Sequence, residues 1–148
     1  MIVRPTVPHD LNAFERIAEQ IGELHLDESS FPTERSRAEL AENWRTFLIE
    51  EPRPLCVVGL MPMWPGVATI VGVFSTECAG NGRELSLALL DVGSTMLPDR
   101  GIRRLECSVR KDWASARKWL KRFGFIQEGP LRAYGMHGED YIRMARFQ

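Results

Sequence analysis

The sequence predicts a mixed α/β domain in which helices pack on both faces of a twisted sheet. Three observations carry that expectation. Two apolar runs rich in β-branched residues, RPLCVVGLM at 53–61 and VATIVGVFST at 67–76, flank the turn-forming PMWPG. Apolar residues recur at helical spacing in four other stretches, separated by Gly, Pro and polar intervals. The segment 102–110 alternates Leu105, Cys107 and Val109 with Arg104, Glu106, Ser108 and Arg110 and leads directly into a helix. Elements of both periods, interleaved, give the order β-α-α-β-β-α-β-α-β-β and one domain over 1–148.

Taken in chain order, 2–5 reads as a short strand, ended by Pro8, with Asp10 placed as a helix N-cap. Leu11, Phe14, Ile17, Ala18, Ile21 and Leu24 then mark an amphipathic helix, and 25–32, which lacks periodicity, reads as a loop. Thr33 caps a second helix that turns Leu40, Ala41, Trp44, Phe47 and Leu48 inward and Glu34, Glu39 and Glu42 outward. The near-continuous hydrophobicity of 53–61 and 67–76 marks central strands covered on both faces, paired as a hairpin. The polar interval ECAGNG at 77–82 leads into a helix over 83–97 that Pro98 stops. In the stretch WASARKWLKRFGF, Trp113, Ala116, Leu120 and Phe123 share one helical face, and Gly124 is the left-handed stop. A strand at 125–128, a turn at Gly129-Pro130 and a last strand at 141–147 close the chain.

Composition narrows the class of function. A chain of 148 residues buries roughly 68 to 70% of its unfolded surface and needs neither disulfides nor metals for stability. Cys56, Cys78 and Cys107 are odd in number and form no CxxC pair, so a reduced, cytoplasmic compartment is expected. The start MIVRPTVPHD lacks a signal-peptide core, and no apolar run approaches the ~20 residues that span a bilayer. His9, His25 and His137 are widely spaced without ligand partners, so no metal site is expected. Net charge is −1, but unevenly spread: positions 10–51 sum to −7 and positions 100–122 to +7. A basic C-terminal lobe suits a phosphorylated cofactor, nucleic acid or the acidic half of a neighbouring copy. Nucleic acid ranks last, because Trp113 and Trp119 are the only aromatics interleaved with the basic residues of the helix.

The element order, with the strand-helix-Gly-Phe arrangement at 102–125, resembles the GNAT acetyltransferase superfamily over the whole chain. The opening IVRPTVPHDL is similar to its I-R-x-A-x-x-x-D start, and 116–125 to its A-x-x-x-Y-x-x-x-G-F signature. The resemblance implies acetyl-CoA as cofactor, with backbone N–H groups of the strand at 67–76, around Val73, facing the acetyl carbonyl. It also implies a Gln/Arg-x-x-Gly-x-Gly/Ala loop that holds the pyrophosphate at a helix start. Here that loop is ECAGNGRELSLAL, with Glu77 at the Gln/Arg position and Gly80, Gly82 and Arg83 as the candidate contacts. Counting back from Gly101 gives a second register, with Gly82 at the first glycine and Glu84 and Ser86 at later ones. At the positions where many members carry a Tyr acid and an Asn, this chain has Leu120 and Trp113. Leucine transfers no proton. Tyr134, Tyr141 and Glu77 are the remaining titratable candidates, and no catalytic residue is assigned.

The helix RKWLK followed by Gly124 is also similar to an R-F-L-K-x-x-G helix of GNAT-like internal virion proteins of short-tailed bacteriophages. Together with Leu120 and the altered glycine loop, that likeness implies a non-catalytic protein, virion-associated or an assembly factor. Its acidic N-terminal and basic C-terminal faces would then meet in neighbouring copies or virion partners. The alternative is an acetyl-CoA-dependent N-acetyltransferase acting on a small amine or a protein N-terminus, by proximity and a donated hydrogen bond.

Overall fold

In the computed structural model, which describes residues 1–17, 20 and 27–148, seven strands form one sheet: β1 (Ile2–Pro5), β2 (Trp44–Glu50), β3 (Arg53–Trp64), β4 (Val67–Phe74), β5 (Arg104–Arg110), β6 (Ile126–Leu131) and β7 (Tyr141–Phe147). Their order is β1-β2-β3-β4-β5-β7-β6. β1 to β3 pair antiparallel, β4 and β5 parallel, and β7 antiparallel to both β5 and β6. The helices are α1 (Glu34–Asn43), α2 (Gly82–Asp99) and α3 (Ala114–Arg122). This is the mixed α/β fold the sequence predicts. Residues pack into two compact units, Met1–Met61 with Val71–Val92, and Pro62–Ile70 with Gly93–Gln148.

In the first unit, β3 explains the layering. Its successive residues Cys56 and Val57 are fully buried yet belong to different apolar clusters, because neighbouring side chains leave a strand on opposite faces. Val57 meets Leu11, Leu40 of α1 and Trp44, with Phe14, Phe31 and Val71 packed against them. Cys56 meets Phe47 and Leu85 of α2, with Phe74, Cys78, Ala88, Leu89 and Val92 around them. Close approach fixes one glycine: a Cβ on Gly59 would lie 2.0 Å from the indole of Trp44, its partner across the ladder.

In the second unit, β5 and β7 pair from Arg104↔Phe147 to Arg110↔Tyr141 and bury Leu105, Cys107, Val109, Ile142, Met144 and Ala145. Glu106, predicted on the polar face of β5, is 9% exposed and is held by Arg104 and Arg143. Burial pushes the Cys107 thiol up to about 12. α3 forms where expected but one residue shorter at each end, with Trp113 and Phe123 as its flanking caps; Trp113, Ala116, Leu120 and Phe123 are half-buried. Gly124 ends it at φ +84°.

Several expectations are corrected. The stretch 44–48 is β2 rather than the end of a helix: α1 stops at Asn43, whose side chain bonds the Glu39 carbonyl, and Trp44 is already extended. Apolar residues at 40, 41, 44, 47 and 48 satisfy helical spacing, but a central strand buried on both faces satisfies it too. Asp10 does not cap a helix; it is the third residue of a 3-10 turn, Pro8–Asn12, and reaches back to the Val7 N–H. The helix expected from 11 is absent at 13–17, where Arg16 bridges Ser75; the rest of that expectation, like His25 in the expected loop, lies largely outside the described residues. Asp27 caps a further 3-10 turn, Glu28–Ser30, in the expected 25–32 loop. The polar interval before α2 is a 3-10 helix, Thr76–Asn81, and α2 includes Pro98 one residue from its end. Gly129-Pro130 is no turn but part of β6, at a register shift against β7.

Candidate functional site

The candidate cofactor residues all fall in the first unit, where β4 runs through Ser75 into the 3-10 turn and then α2 without an intervening loop. Ser75, 2% exposed, anchors the junction. Its N–H donates to the Leu55 carbonyl at 2.8 Å, its Oγ accepts from the Glu77 N–H at 3.2 Å, and its carbonyl accepts from the Cys78 N–H at 3.1 Å. The Thr76 N–H donates to the Glu15 carbonyl at 3.1 Å. These bonds fix the start of the helix and the direction of its positive end.

Gly80 is exposed and Gly82 half-buried. A Cβ added at either would meet no atom within 4 Å, and Gly82 has φ −59°. Neither the backbone angle at 82 nor neighbouring atoms at either position require glycine in the protein itself. Both leave the backbone open to an approaching group from outside. Arg83 is exposed on the first turn of α2 and has no ion-pair partner among the described residues. Beside it Glu84 is also exposed, while the Ser86 hydroxyl turns inward to the Gly82 carbonyl at 2.6 Å. Glu77 is clamped by Arg53, whose Nη2 lies 2.9 and 3.0 Å from its two carboxylate oxygens. That exposed pairing places a positive charge beside Glu77 near the helix start.

Val73 is fully buried. The Ser75 N–H points to β3, so strand alternation directs the polar groups of Val73 to the same side. The opposite edge of β4 at this level consists of Gly72 and Phe74. Their groups are held by Gln20, which the sequence reading did not single out: Nε2 donates to the Gly72 carbonyl at 2.6 Å, and Oε1 accepts from the Phe74 N–H at 2.8 Å. The Ile17 N–H donates to the Phe74 carbonyl at 3.1 Å. A Cβ on Gly72 would lie 2.6 Å from the Phe74 ring, so a side chain there would displace the aromatic.

Below the junction, the Cys78 thiol donates to the Leu55 carbonyl at 3.1 Å. The Cys56 thiol beside it, with the bonds from Ser75, holds Cys78 below the ordinary thiol range against its own burial. Burial drives Cys56 well above that range. In the second unit, Leu120 is half-buried on α3, Trp113 caps α3 without a side-chain bond, and Tyr134 and Tyr141 meet edge to face at 5.2 Å. The His9 Nδ1 lies 3.9 Å from Glu28, and the His137 N–H donates to Glu139 at 2.9 Å. No helix among the described residues is long and apolar enough to cross a membrane.

No protein-family profile and no curated protein matches the sequence. Solved structures do. Ard1 from Thermoplasma volcanium superposes with a TM-score of 0.79 at 17% identity, over 99% of this chain and 96% of that one. A ribosomal-protein-alanine N-acetyltransferase from Brucella melitensis gives 0.73 at 15% identity over 100% of both chains. A GNAT superfamily phosphinothricin acetyltransferase from Sinorhizobium meliloti, in complex with AcCoA, gives 0.74 at 18% identity over 99% of this chain and 87% of that one. The chain therefore has the GNAT acetyltransferase fold. The virion likeness has no counterpart among these structures.

Proposed function

We propose that this protein is an acyl-CoA-dependent N-acyltransferase that binds acetyl-CoA along the end of β4 and the start of α2. The observation that carries the reading is the junction itself: β4 leads through Ser75 and the 3-10 turn Thr76–Asn81 into α2, and a Cβ at Gly80 or Gly82 would meet no atom of the protein within 4 Å. Anions are stabilised at helix starts by the dipole and by N–H groups, and Arg83 adds a full positive charge there. Arg53 pairs with the carboxylate of Glu77, which would otherwise oppose it. Acetyl-CoA would supply an activated acetyl thioester; the chain's own part is to hold the pyrophosphate at Gly80, Gly82 and Arg83 and to orient the arm. The AcCoA complex of the Sinorhizobium meliloti protein of the same fold supports this choice of cofactor. With Leu120 in place of a Tyr acid, rate enhancement rests on positioning and a donated hydrogen bond. A small amine or a protein N-terminus is the acceptor class.

Calorimetric titration with acetyl-CoA tests the reading. Binding in the micromolar range, abolished by Gly82→Trp, is expected; no heat at millimolar acetyl-CoA overturns it.

A second reading has its own observation. α3 carries Arg117, Lys118, Lys121 and Arg122 with no acidic residue and no ion pair among the described residues. A non-catalytic protein, assembling through this face with acidic surfaces of neighbouring copies or of virion partners, would use that charge. It predicts self-association at low salt that is lost on reversing Lys118, Lys121 and Arg122 to Glu. Monomeric behaviour at low salt together with acetyl transfer removes it.

A further inference from the structure

Gln20 is 4% exposed, and both ends of its carboxamide are used on one strand. A residue of a parallel strand donates its N–H to the carbonyl of residue i−1 on its neighbour and accepts from the N–H of residue i+1. Gln20 makes that same pair of bonds around Val73, to the Gly72 carbonyl and from the Phe74 N–H. Its side chain therefore stands in for one residue of a strand alongside β4. The registered parallel pairs of β4 end at Thr69, three residues into the strand's partnership with β5. Past that point this edge is completed by the chain segment before α1, through Gln20, the Ile17 N–H and the bridge of Arg16 to Ser75.

An open strand edge binds whatever offers a donor and an acceptor at amide spacing. Two of the edge groups here are held by a single side chain rather than by a backbone. A Phe74 N–H that donates to Gln20 is not available to an incoming ligand, so the two occupants exclude one another.

We infer that Gln20 is a built-in latch on β4: its carboxamide occupies the amide-recognition edge at Gly72 and Phe74, and the amide-bearing arm of acetyl-CoA binds only as that carboxamide leaves. The inference rests on the acyl-CoA reading above and adds to it a competitor inside the chain. Because the ligand must displace two satisfied hydrogen bonds, wild-type affinity is held below what the edge itself supports.

The test compares acetyl-CoA affinity of the wild type and of Gln20→Ala by calorimetry, alongside the amide exchange rate of Phe74. Removing the latch is expected to tighten binding about tenfold. The Phe74 amide should be protected in the unliganded wild type, exchange faster in unliganded Gln20→Ala, and regain protection when acetyl-CoA is added. Gln20→Met, similar in length and lacking both bonds, gives the same comparison should the alanine variant fail to fold. Equal or weaker binding by the folded variants overturns the latch while leaving the acyl-CoA reading in place. Absence of binding by wild type and variants at millimolar acetyl-CoA overturns the acyl-CoA reading and the latch with it.

Discussion

Two regions of the first unit treat buried polar groups in opposite ways. At the corner of β1 and β2, Asp10 accepts from Arg4 twice, at 2.8 and 2.9 Å, from the Val7 N–H at 3.0 Å and from the Thr46 hydroxyl at 2.7 Å. The Thr6 hydroxyl in turn donates to the Thr46 oxygen at 3.0 Å. Each of these groups is satisfied by structure that is needed anyway, and nothing is left for a ligand. At the end of β4, the Gly72 carbonyl and the Phe74 N–H are both held by one glutamine side chain, and the helix start beyond presents Gly80 and Gly82 with open space around them. A closed network with redundant partners serves the fold; two edge groups held by one side chain are what the proposed site would use.

Substitutions in the two regions should therefore separate stability from binding. Asp10→Ala leaves Arg4 and the Thr46 hydroxyl without their shared acceptor and is expected to cost about 3 kcal/mol, read from the urea midpoint, with acetyl-CoA affinity unchanged in the folded fraction. Gly82→Trp should do the reverse: binding falls by about 100-fold or more, equivalent to about 2.7 kcal/mol, while the urea midpoint stays within error. If Gly82→Trp destabilised the protein as much as Asp10→Ala does, the contrast between the regions would collapse. Acid sharpens the comparison. Burial pushes the Asp10 carboxyl up, but the bonds from Arg4, Val7 and Thr46 together outweigh it and hold the group below the usual carboxylate range. A depressed folded-state value contributes stability that is present above the unfolded value of about 3.9 and lost as pH falls through the folded one. Asp10→Asn should therefore flatten the fall in stability below about pH 4, whereas Gln20→Ala should not.

Smaller effects fall outside the corner network. Gly124→Ala, at φ +84°, should lower stability by about 1 kcal/mol through left-handed strain and leave binding untouched. Among the thiols, Cys78 should react fastest with iodoacetamide, because it is only half-buried and held below the ordinary thiol range, whereas Cys56 and Cys107 are buried and raised. Mass spectrometry of the alkylated peptides checks the order, and fastest labelling at Cys107 would contradict it.

Much of the fold was legible because its signals were local. α3 and Gly124 follow from period and a glycine stop, and β7 matches its expected bounds, since each pattern lies within about ten residues of sequence. β2 was not legible, because a strand covered on both faces shows a block of apolar residues at 44, 47 and 48 that also fits a helix. The Gly129-Pro130 strand segment was hidden by turn chemistry that a bulge against β7 uses equally well. For the proposed site, Gly80, Gly82, Arg83 and Val73 were candidates only through the family resemblance, and the polar groups at the β4 edge, Gly72 and Phe74, were not among them. Gln20 carries no motif. Its meaning comes from contacts 52 and 54 residues away, which only the folded chain brings together.

On the proposed function, the end of β4 and the start of α2 form one binding surface. Backbone amide shifts followed during titration with acetyl-CoA would locate that surface. The largest perturbations are expected at Phe74, Gly80, Gly82 and Arg83, with the Gln20 side-chain amide resonances shifting as its bonds to β4 break. No perturbation of these groups at millimolar acetyl-CoA, or changes confined to α3, would contradict it.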